Sequence, residues 1–125
     1  MAYRYTQDPA HLENAKKVSA FWLANLSPDP ITKWDFAAPG PTFKDTSAAA
    51  IVASAFFELA GYTKDPAYTT HAAAILDALS GGAYLGGRAT PAVTQGNGHD
   101  CGTANCTIIE ADYYALEALR RFNAL

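Results

Sequence analysis

The chain has 125 residues, half of them hydrophobic, and a formal net charge of −3 from 9 lysines and arginines against 12 aspartates and glutamates. That suits one domain with a modest core, and the scattered cations form no basic stripe able to neutralise phosphates, which argues against a nucleic-acid partner. No apolar run approaches the ~20 residues a membrane span needs, and "MAYRYTQDP" has no apolar h-region, so a cytoplasmic protein is expected.

The first residues, "MAYRYT", match the last turn of a helix when set against "FFELAGYT" further along. That match belongs to an internal repeat: "YTQDPA" begins at Tyr5 and "YTKDPA" at Tyr62, 57 residues later. Each copy ends one helix and opens the next, with Asp8 or Asp65 as N-cap and Pro9 or Pro66 at the first helical position. After the first cap, Leu12, Ala15, Val18, Trp22 and Leu26 make one apolar stripe, with Glu13, Asn14, Lys16 and Lys17 facing away. "SPDP" from Ser27 to Pro30 ends this helix.

A loop containing "KWDF" leads to a helix over Ser47–Leu59 that is apolar nearly all round, rich in alanine, and expected to be enclosed on every side. A third, amphipathic helix runs from about Ala67 to Leu79 and stops at "SGG". A long glycine-rich loop then extends from Gly81 to about Thr107, and a fourth helix over Glu110–Phe122 closes the chain. No stretch reads as a strand. Repeated units that cannot bury their own apolar faces stack on neighbours. The order outer, inner, outer, inner, with long loops leading into the inner helices, predicts an all-α protein: an incomplete α/α toroid of about four helices.

Cys101 and Cys106 in "CGTANC" are too few and too close for a zinc site. They read as thiols rather than a loop disulfide, since nothing points to export. Asn25 and Asn105 head triplets of the glycosylation pattern, which chance also supplies often.

"KWDFAAP", "KDTSAAAIVASAFFELA", "GNGH" and "EADYYALEALRRF", in that order, resemble the C-terminal part of the unsaturated glucuronyl hydrolases, family 88 of the glycoside hydrolases. The related unsaturated rhamnogalacturonyl hydrolases are a less close match. The resemblance covers essentially the whole chain and implies part of a six-hairpin (α/α)6 barrel, residues 1–125 forming its C-terminal portion. It implies an enzyme that removes 4,5-unsaturated glucuronic acid from the non-reducing end of lyase-generated oligosaccharides by hydrating the enol-ether double bond. No cofactor and no metal enter that chemistry. The family's catalytic aspartates lie in the half that precedes this region, so no residue here inherits their role and inactivity of the chain alone is expected. Its partners are then an unsaturated uronic-acid oligosaccharide and either the missing N-terminal half of the toroid or copies of itself. The alternative is a non-catalytic helical protein that self-assembles through its open inner face and binds carbohydrate.

Five residues stand as substrate-binding candidates. Trp34 can stack on a sugar ring while Asp35 accepts hydroxyl hydrogen bonds; the competing reading packs Trp34 beneath its loop and leaves Asp35 solvated. Gln95 and His99 lie in "TQGNGHDCG", where Gly96 and Gly98 permit positive φ, and either touch the neighbouring sugar or only shape the loop. Tyr113, or Tyr114 beside it, reaches the cavity from the first turn of the last helix. Asp45 reads as the N-cap of the alanine-rich helix. Glu110 and Asp112 suit the positive end of the last helix's dipole, and Arg120 and Arg121 its negative end, with no further role needed.

Overall fold

The computed structural model describes residues 2–37, 39, 44–81, 83–85 and 108–125. Among the described residues five helices follow one another: α1 (Ala2–Thr6), α2 (Pro9–Asn25), α3 (Thr46–Thr63), α4 (Pro66–Ser80) and α5 (Ile109–Phe122). An isolated antiparallel bridge joins Lys33 and Lys44.

The repeat is a repeated helix corner. Thr6 and Thr63 each donate a side-chain hydrogen bond to the carbonyl four residues back and accept one from the backbone N–H of the next aspartate. Gln7 and Lys64 then take left-handed backbone conformations, φ 56° and 59°, which close the outgoing helix. Asp8 and Asp65 accept from Ala10 N and Ala67 N at 2.9 Å, and Pro9 and Pro66 begin the next helix. The four-residue reversal satisfies carbonyls at the end of the outgoing helix and a backbone N–H at the start of the next. α4 stops at Gly81, where a Cβ would stand 3.1 Å from the Ala78 carbonyl oxygen.

α3 is the central element, packed on α4 along one side and α5 along the other. Its alanines allow this: Ala49, Ala50 and Ala53 are fully buried and hold the backbones close. Phe56, Phe57, Ile75, Leu79 and Ile31 fill the remaining space. Two expectations need correction. Val18 is 61% exposed, and α2 instead turns Ser19 and Leu23 inward beside Trp22. A stripe drawn along α2 assumes a partner along its whole length, and here only its second half meets the core. α3 is also not enclosed on every side: Ile51 is 40% exposed, on the face that looks into a cleft between α3 and α5.

Candidate functional site

The loop between α2 and α3 is fastened at its roots. Asp29 accepts from Ile31 N at 2.9 Å and pairs with Lys44 Nζ at 2.9 Å; Lys44 also donates to the Ile31 carbonyl at 2.8 Å. Tyr84, arriving from beyond α4, donates its hydroxyl to Asp29 at 3.4 Å. Asp45 N donates to the Thr32 carbonyl at 2.8 Å. Partial burial alone would raise the Asp29 pKa, but the Ile31 N–H and the Lys44 ammonium outweigh it and lower it. Burial and the nearby Asp29 carboxylate push the Tyr84 hydroxyl up.

Trp34 and Asp35 project from this anchored base. Trp34 is half exposed, whereas Phe36 behind it turns inward and meets the edges of Phe21 and Trp22 at 5.9 and 5.4 Å. Asp35 Oδ1 accepts from Ala37 N at 2.8 Å, an Asx turn that fixes the orientation of the carboxylate. Asp45 spends one oxygen on the cap, accepting from Ser47 N and Ala48 N at 3.0 Å and from Ser47 Oγ at 2.5 Å.

A second region lies on the inner faces of α1, α3 and α5. There a cleft of about 280 Å³ is lined by Ile51, Ser54 and Glu58 of α3, by Tyr113, Tyr114, Glu117 and Arg121 of α5, and by Arg4. It runs from Ile51 and Tyr113, near the starts of α3 and α5, to Glu58 and Arg121 towards their ends. Tyr113 and Tyr114 stand edge to face at its upper end, ring centroids 5.0 Å apart. At the lower end Glu58 takes both Arg4 and Arg121, the latter at 2.9 Å. Arg121 reaches Glu117 at 3.2 Å and the Ser54 carbonyl at 2.5 Å, and Ser54 Oγ donates to Glu117 at 2.5 Å. The Arg4 pKa is raised, first by its hydrogen bonds to Glu58 and then by that residue's charge. Two arginines and two glutamates thus pair with one another across three helices. The tyrosine end combines ring faces with hydroxyls, the chemistry suited to a sugar.

Of the five candidates, Tyr113 lines the cleft, with Tyr114 beside it. Trp34 and Asp35 are not among its walls; they stand on the loop that precedes α3. Gln95 and His99 lie outside the described residues, as do Cys101, Cys106 and Asn105. Arg121 was expected to need no role beyond the helix dipole, and the structure corrects this, because it ties α5 to α3. The missed signal was Glu58, the only charged residue in α3; a lone carboxylate in so apolar a helix must find a cation. Among the described residues no group of His, Cys, Asp and Glu could hold a metal ion, and no helix is long and apolar enough to cross a membrane.

No protein-family model matches the chain. An unsaturated glucuronyl hydrolase of Formosa agariphila is 38% identical across 97% of this chain, which accounts for 32% of that protein. The crystal structure of an unsaturated glucuronyl hydrolase specific for heparin superposes with a TM-score of 0.88 at 31% identity, over 98% of this chain and 36% of the other. A second, from Bacillus sp. GL1 and responsible for the degradation of glycosaminoglycan, gives 0.82 at 30% identity, over 95% and 34%. The chain spans about a third of the length of these relatives, which are α/α toroids.

Proposed function

We propose that this relative of the unsaturated glucuronyl hydrolases serves as the C-terminal part of such an enzyme, supplying one wall of its sugar pocket and none of its catalytic carboxylates. The observation that carries the reading is the 38% identity to the Formosa agariphila protein across 97% of the chain. The reaction of the complete enzyme is removal of 4,5-unsaturated glucuronic acid from lyase products. A carboxylic acid protonates C4 of the enol ether, water adds at C5, and the hemiketal collapses to release the sugar. The substrate class follows the two solved relatives, described as specific for heparin and as degrading glycosaminoglycan.

In this chain the Trp34 indole face stacks on a sugar ring and Asp35, held by its Asx turn, accepts from ring hydroxyls. Tyr113 adds a wall from the first turn of α5, and Gln95 and His99 are proposed contacts to the neighbouring sugar. One wall cannot place a proton donor, and a misplacement of even ~1 Å costs about 100-fold in rate. The chain alone is therefore inactive on unsaturated glucuronyl disaccharides. Loss of their enol-ether absorbance in the far ultraviolet reads turnover directly. Turnover by the isolated chain that Asp35→Asn abolishes would overturn the reading. In a complete enzyme containing this segment, Trp34→Ala or Asp35→Asn raises KM; unchanged kinetics in both return the loop to a purely structural role.

A further inference from the structure

α5 rests on α3 through alanines. Ala111 and Ala118 are fully buried, with Ala115 partly buried beside them, in the core that Ala49, Ala50 and Ala53 of α3 help to form. Small side chains let two backbones come close, but they offer no long ridge to lock into a groove. Uniform packing of this kind specifies rotation and register poorly. Larger rings meet near the far end, where the centroids of Phe57 and Phe122 stand 5.7 Å apart. Along the rest of the seam the rotation of α5 depends on directional contacts.

Those contacts form a ladder along one edge of the seam. Ile51, Ser54 and Glu58 share a stripe of α3, Tyr113, Glu117 and Arg121 share a stripe of α5, and all six line the cleft. One rung joins Ser54 Oγ to Glu117 at 2.5 Å; the next joins Arg121 to Glu58 at 2.9 Å and to the Ser54 carbonyl at 2.5 Å. Ser54 is 2% exposed and the Glu58 side chain 7%, and polar groups so buried are costly to leave unpaired. A slip of α5 by one residue turns it by about 100° and carries Glu117 and Arg121 away from both partners. Tyr113 stands one turn above the ladder on the same stripe, 59% exposed and edge to face with Tyr114. Its place in the cleft is therefore the place that α5 gives it.

We infer that Ser54 and Glu117 are positioning residues for sugar binding: their hydrogen bond, with Arg121 below it, fixes the rotation of α5 and so holds Tyr113 against the bound sugar. The inference rests on the reading of Tyr113 as a wall of the sugar pocket. Ser54 acts through Tyr113 and not by touching the sugar, because its hydroxyl is already donated to Glu117. Setting register is the best-attested use of polar groups buried in an apolar seam.

Steady-state kinetics on unsaturated glucuronyl disaccharides, in a complete enzyme containing this segment, test this with Ser54→Ala, Tyr113→Ala and the double variant. Ser54→Ala raises KM by about three- to tenfold and leaves kcat within a factor of about two, the split expected when a binding group outside the chemistry is displaced. In the Tyr113→Ala background the same substitution changes KM no further, since the tyrosine it positions is gone. Glu117→Ala, on the other side of the bond, shows the same dependence on Tyr113. A lower melting temperature with KM unchanged makes the ladder purely structural and overturns the inference. So do effects of Ser54→Ala and Tyr113→Ala that add, because Ser54 then acts on its own. If Tyr113→Ala leaves KM unchanged, the tyrosine wall falls and the inference with it. A KM raised by Tyr113→Ala but not by Ser54→Ala removes the inference alone.

Discussion

Glu58 shows how a single side chain can organise three helices. Its side chain is 7% exposed while Arg4 and Arg121 remain 41% and 21% exposed, so the cluster is desolvated at its carboxylate and wet at one rim. Glu58→Gln should therefore cost about 2 kcal/mol, in the range of hydrogen bonds to charged groups. Arg4→Ala, at the wet rim and screened by solvent, should cost less than Arg121→Ala. Urea midpoints that reverse the two arginines would contradict this ordering. Asp29 makes a pH-dependent contribution. Its folded pKa lies below the unfolded value of 3.8, so its stabilisation is fully present above that value and is lost as pH falls through the folded one. Thermal melts between pH 5 and pH 2 should show Asp29→Asn losing less stability on acidification than the wild type; parallel curves would remove Asp29 as a cause.

At the scale of the element, the corner built from Thr, a left-handed residue, Asp and Pro occurs twice with the same hydrogen bonds, which is why a six-residue repeat predicts a structural one. Asp45 plays the same capping role without the corner. With two backbone N–H groups and the Ser47 hydroxyl on one oxygen, Asp45→Ala should cost ~1 kcal/mol, and Asp45→Asn less, since asparagine also caps well. Equal melting temperatures in all three proteins would dismiss the capping argument. α5 has no side-chain cap, and Glu110 and Asp112 in its first turn stabilise it through the dipole instead.

At the scale of the whole molecule, an inner row of α1, α3 and α5 carries the charged cluster and the tyrosine cleft, while α2 and α4 cover its back. On its flanks Val18 of α2 and Leu116 and Leu119 of α5 stay exposed, apolar surface that the packing within this chain leaves uncovered.

The sequence by itself determined the helices, their caps and their order. Those rest on contacts within a few residues: aspartate two or three positions from the donors it satisfies, proline after it, apolar residues at helical spacing. It also carried the family resemblance, and it placed Trp34, Asp35 and Tyr113 on the segments where the structure has them. Only the tertiary structure decided which faces are used. The apolar stripe of α2 was legible, yet Val18 is exposed, because burial depends on whether a partner lies opposite and not on periodicity. Arg121 looked like a residue answering its own helix dipole, and became the link to Glu58 and Ser54 only when α5 was laid against α3. Likewise, the position of Tyr113 in the cleft follows from the rotation of α5, which is set by long-range packing that no local sequence pattern encodes.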